Sequence, residues 1–74
     1  MAEELHNAFE GLGPEVKLEG IDPGDFEVGH EITDIYLGEE DGLLWYIDVR
    51  VERNILFRRF YIVRVYGRLK NASA

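Results

Sequence analysis

Three observations predict an α+β fold, with a short N-terminal helix followed by an antiparallel meander of about four strands. Near the N-terminus, Leu5, Ala8, Phe9 and Leu12 recur at helical spacing. From Leu43 onward, apolar and polar residues alternate with period two. Between the apolar runs lie short segments rich in Gly, Pro, Asp and Asn, the residues that turns require.

The helix is expected over about residues 2–12. Glu3 and Glu4 complement the positive end of its dipole, and Gly11, Gly13 and Pro14 stop it. A short strand follows at 15–19, with Val16 and Leu18 on one side. Asp22-Pro23-Gly24-Asp25 has turn chemistry, because Pro fixes φ at one central position and Gly accepts a positive φ at the next. Ile21, Phe26 and Val28 are candidate anchors for this loop. The next strand is expected at 30–37, and Gly38 to Gly42 reads as a five-residue turn. Strands at 43–52 and 55–69 form a long hairpin around Glu52-Arg53-Asn54, with Asn54 suited to a left-handed position. Residues 71–74 read as a flexible tail. With 74 residues the chain is one domain, 1–74.

Strand pairing is set by matching faces, since a one-residue slip turns a whole face over. The first hairpin is expected to place Leu37 opposite Leu43 and Ile35 opposite Trp45. The second is expected to place Val51 opposite Ile55, Trp45 opposite Tyr61, Asp48 opposite Arg58 and Tyr46 opposite Phe60. One face then carries Trp45, Ile47, Val63 and Val65. The reverse carries Leu44, Tyr46, Arg58, Phe60, Ile62, Arg64 and Tyr66. One short helix covers one face only. Uncovered apolar patches beyond a few hundred Å² are uncommon on monomers, so this second face is the candidate interaction surface.

An alternative architecture is an SH3-like small β-barrel. VGHEITDIY is similar to the strand after that family's first long loop, DGLLWY to its Trp-bearing strand, and RRFYIVRVYG to its closing segment. The chain lacks the aromatic opening strand and the closing Pro of that pattern.

Charge is divided unevenly along the chain. Residues 1–48 hold fourteen acids and one base, net −13, whereas residues 49–74 hold seven bases and one acid, net +6. Paired strands bring such opposite charges together. There is no Cys, hence no disulfide or thiolate metal site. No stretch approaches the roughly 20 apolar residues of a membrane-spanning helix, and the early glutamates do not suit a secretory signal. A cytoplasmic protein without membrane association is the expectation.

Covalent chemistry is poorly supplied. Thr33 is the only Thr and Ser73 the only Ser. His30 and Asp34 share a strand face but stand about 13 Å apart. Glu39-Glu40-Asp41 lacks the ligand spacing of a calcium loop. No catalytic residue, metal or cofactor is therefore assigned. The expected function is a small non-enzymatic protein-interaction or accessory domain, self-associating as a homodimer through the aromatic/Arg face. Arg and Tyr are enriched at such interfaces. Two alternatives stand beside it, one on the last strand and one on the acidic half. Interleaved Arg and aromatic side chains on the last strand suit single-stranded nucleic acid, and the acidic half suits an inhibitor that imitates nucleic-acid phosphates.

Overall fold

The computed structural model describes residues 5–70. It is nearly all antiparallel sheet, and among these residues the only helical element is a 3-10 turn at Pro23–Asp25. The strands are β1 (Leu5–Glu10), β2 (Glu15–Val16), β3 (Glu31–Glu40), β4 (Leu43–Asn54) and β5 (Phe57–Leu69). The α+β expectation is thus corrected. Leu5–Glu10 is a strand, the strand expected at 15–19 contracts to two residues, and residues 2–4 and 71–74 lie outside the described region.

The helix expectation fails for an energetic reason. An isolated helix of that length is marginal in water, while β5 offers an open edge of backbone donors and acceptors. β1 pairs with that edge from Leu5↔Arg68 to Glu10↔Arg64. A bulge at Ala8 shifts the parity, so Asn7 lies opposite Tyr66 but Phe9 lies opposite Val65. The chain then continues along the same edge. The Gly11 and Gly13 amides donate to the Val63 and Ile62 carbonyls, and the Ile62 amide donates to Pro14. β2 completes the run with Glu15↔Tyr61 and Val16↔Phe60. β1 and β2 are therefore one interrupted edge strand.

The sheet order is β1-β5-β4-β3. β1 and β3 are its two edges and do not pair with each other, so the sheet does not close into the SH3-like barrel. No helix among the described residues is long and apolar enough to cross a membrane.

Both hairpin turns are tighter than the sequence reading expects. β3 and β4 are joined by Asp41-Gly42, with φ of 56° and 77°, which suits a two-residue turn having positive φ at both central positions. Glu40 therefore faces Leu43, and Gly38, not Ile35, faces Trp45. Bulges at Thr33/Asp34 and at Leu37 absorb the extra residues, which returns Ile32 and Ile35 to the face of Val49 and Ile47. β4 and β5 turn at Ile55-Leu56 instead of at 52–54, so Asn54 faces Phe57, Val51 faces Phe60 and Tyr46 faces Tyr66.

The core sits on one face of the sheet, towards the Ile55 end. Ile47, Val49, Val51 and Phe60 are buried together, with Val16, Leu18, Phe26, Ile32, Ile35 and Val65 packed around them. The segment from Lys17 to His30 crosses this face as a strap. Asp22 caps its 3-10 turn by accepting the Gly24 amide. The Phe26 ring meets Phe60 at 6.1 Å and stacks on His30 at 4.9 Å. The strap enters β3 where the Gly29 amide donates to Val51 and the Val51 amide to His30.

Candidate protein-interaction site

The seven residues of the expected interaction surface do not share a face. Directly opposed residues of an antiparallel pair lie on the same face, so the register decides the matter. Asp48 faces Arg64 but Val49 faces Ile62, which leaves Val63 as an extra residue in β5. This bulge inverts the alternation. Arg58, Phe60 and Ile62 turn to the core face with Val49 and Val51. Leu44, Tyr46, Arg64 and Tyr66 stay on the reverse. Phe60 is 1% exposed and belongs to the core. The Arg58 guanidinium donates to the Gly24 carbonyl at 3.2 Å and ties the strap to β5.

On the reverse face the sequence builds a row of tyrosines across three strands. Tyr36 and Tyr46 have ring centroids 5.5 Å apart, and Tyr46 stacks on Tyr66 at 5.6 Å. Two arginines close over the row. Arg64 lies 4.1 Å from the Tyr66 centroid, and Arg68 lies 5.0 Å from Tyr46 and 5.3 Å from Tyr66. Arg68 also pairs with Asp34 at 3.6 Å. Tyr66 is consequently 1% exposed, and its hydroxyl has no hydrogen-bond partner among the described residues. Only Tyr36, at the β3 edge, presents a largely open ring (56% exposed). Arg64 and Arg68 thus cover the Tyr46 and Tyr66 part of the face expected to need a cover.

Towards the other end of this face the side chains are ionic. Arg50 donates from two nitrogens to one Glu31 oxygen, at 3.0 and 2.8 Å. Arg59 meets Glu15 at 3.2 Å, and at the β3–β4 end Lys70 meets Glu39 at 3.1 Å. The Asp48–Arg58 pairing expected from the sequence does not form, because Asp48 lies opposite Arg64 and accepts the Asp34 amide at 2.9 Å. Partial desolvation and the neighbouring Glu15 carboxylate raise the Tyr61 pKa above the usual phenol value.

The apolar surface left open is concentrated elsewhere, at the β4–β5 turn. Ile55, Leu56 and Phe57 are 84%, 75% and 64% exposed. Ile55 has φ 60°, a backbone region that β-branched residues rarely occupy. The Arg53 guanidinium donates to the Leu56 carbonyl and closes the turn. Beside this tip lies a concavity of about 710 Å³ between the strap and the start of β5. Val16, Leu18, Ile21, Phe57 and Phe60 supply its apolar lining, and its charged lining is mixed, with Glu15, Glu19, Asp22 and Asp25 beside Lys17, Arg58 and Arg59. The sequence reading missed this site because it placed the turn at 52–54 and began the last strand at Ile55. The signal was the unbroken Ile-Leu-Phe run between Asn54 and Arg58, which carries no polar residue to face water.

Among the described residues no three His, Asp or Glu side chains converge as a metal-binding group. No protein-family model, curated protein or solved structure matches this chain.

Proposed function

We propose that this chain is a small non-enzymatic interaction domain that engages another protein through the apolar end of its long hairpin. One observation carries the reading: three consecutive large apolar side chains stand open at the tip, on a turn whose first residue is held at a strained φ. A two-residue turn selected for stability alone would hold Asn, Asp or Gly there. Local choices that oppose the fold concentrate at functional positions. The tip contributes little to the core, so its side chains are free to be buried against a partner. A photo-cross-linking amino acid at Leu56, with Asp41 in the opposite turn as control, tests this in cells. A discrete protein adduct is expected at position 56 and not at 41. Equal labelling at both positions, or none, would remove the reading.

A second reading places single-stranded nucleic acid on the Tyr36–Tyr46–Tyr66 row with Arg64 and Arg68. The stacked guanidinium and phenol groups favour it. Against it, Tyr66 is buried, Tyr46 already carries Arg68, and only Tyr36 offers an open ring for a base. The net charge of −7 adds repulsion. Anisotropy of a labelled oligonucleotide at about 20 mM salt decides it, since phosphate contacts are strongest there. The absence of salt-sensitive binding rejects it.

A further inference from the structure

We propose that the partner of the hairpin tip is a second copy of this chain, each copy laying Ile55, Leu56 and Phe57 into the groove between strap and β5 of the other. This rests on the proposed docking role of the tip and names its occupant. The first argument is adjacency. Tip and groove adjoin on one chain and share Phe57. A two-fold axis beside Phe57 would therefore bring both tips to both grooves at once, the self-complementary condition that a closed dimer requires.

The second argument is charge. Arg53 on the tip has no carboxylate partner among the described residues. Lys17, Arg58 and Arg59 also line the groove, but Arg59 pairs with Glu15 and Arg58 donates to the Gly24 carbonyl. Glu19 and Asp25 thus have no ion-pair partner among the described residues, and the Asp22 carboxylate accepts the Gly24 amide. Bringing tip to groove between copies places these opposite charges together. Within one chain Arg53 is committed to the Leu56 carbonyl across the turn. The third argument is the sheet edge. β2 ends at Val16↔Phe60, so the outer edge of β5 at residues 57–59 has no strand beside it among the described residues. Two such edges can lie antiparallel across the same axis. The contact then buries six large apolar side chains from the two tips, together with both groove floors.

The chain has no Cys, which makes the test direct. Sedimentation equilibrium of the purified full chain from about 1 to 200 μM should show a dimer. Leu56→Glu should weaken it by more than about 30-fold, the scale of a central apolar contact, with an unchanged far-ultraviolet spectrum because Leu56 is exposed. Mixing Leu56→Cys chains with Ile21→Cys chains under mild oxidation should give a mixed disulfide of twice the 8.6 kDa chain mass. A monomer throughout the range, a dimer indifferent to Leu56→Glu, or absence of the mixed disulfide would each overturn the second-copy assignment. A monomer in solution together with a position-56 adduct to a different protein in cells would leave the docking role standing. Absence of any position-56 adduct would remove that role as well.

Discussion

At the scale of single residues, two positions hold the backbone or its neighbours under constraint. Ile55 sits at φ 60° with its side chain in solvent. The left-handed conformation costs an ordinary L-residue about 1–2 kcal/mol, and Asn much less. Ile55→Asn should therefore raise folding stability by about 1 kcal/mol, read as a higher urea midpoint at a concentration where the chain is monomeric. A drop in the midpoint would mean that the isoleucine side chain stabilises the turn through contacts of its own. Gly67 faces Trp45 across the β4–β5 pair, and a Cβ there would lie 3.2 Å from the indole ring. Gly67→Ala requires that ring to give by a few tenths of an ångström, and overpacking costs about 1–3 kcal/mol where the ring is held in place. Trp45 is the only tryptophan, so its emission maximum should move with the substitution. An unchanged spectrum would show that the indole yields without leaving its site. Tyr61 gives a pH dependence. Its folded-state pKa is raised by desolvation and by Glu15, so its contribution to stability is complete below the unfolded-state value near 10 and is lost as pH rises through the folded value. The fall in melting temperature between pH 8 and pH 11 should be smaller in Tyr61→Phe.

At the scale of elements, the bulges decide which side chains meet. The alternation in β4 was legible from its letters, since Ile47, Val49 and Val51 are all buried on one face. The faces of β3 and β5 were not. Each contains residues that the partner strand does not match, and period-two counting cannot see an extra residue whose cost is settled by the neighbouring strand. Val63 is the clearest case: before it, Phe60 and Ile62 face the core, and after it, Tyr66 faces the other way. The turn at Asp41-Gly42 was available in the sequence as an Asp-Gly pair. The turn at Ile55-Leu56 was not, because its residues oppose the conformation they adopt. β1 was misread since Leu5, Ala8, Phe9 and Leu12 fit a helix as letters, while the open edge of β5 exists only in three dimensions. Bulges on an exposed edge also discourage pairing with other chains. In β3 the bulge is held by the Asp34 amide, at φ 59°, donating to the Asp48 carboxylate. Removing that acceptor in Asp48→Ala should cost about 1.5–3 kcal/mol, the worth of a hydrogen bond to a charged group. Hydrogen exchange at Asp34 should accelerate first. An unchanged exchange rate there would show that the bulge is fixed by the strand register alone.

At the scale of the whole molecule, the balance lies between charge repulsion and charge pairing. The molecule extends 47 × 23 × 19 Å, and its acids crowd the first two-thirds of the chain. Among the described residues the ion pairs, apart from Arg50–Glu52 within β4, run between acids of that region and bases of β4, β5 and Lys70, as in Glu31–Arg50, Glu15–Arg59 and Glu39–Lys70. Sheet pairing thus offsets part of the division seen along the sequence, but a net −7 remains. The paired charges are 2.8–3.2 Å apart, well inside any Debye length. Repulsion among the surplus carboxylates acts over longer distances. Raising ionic strength from about 0.01 M to 0.15 M shortens the Debye length from about 30 Å to about 8 Å. That removes repulsion faster than it weakens the pairs, which as exposed pairs are worth only about 0–1 kcal/mol each. The monomer should therefore become more stable with added salt, by an amount on the order of 1 kcal/mol, seen as a rising urea midpoint in sodium chloride at low micromolar protein. A falling midpoint would mean that the cross-strand pairs, and not the surplus acids, dominate the electrostatics of this fold.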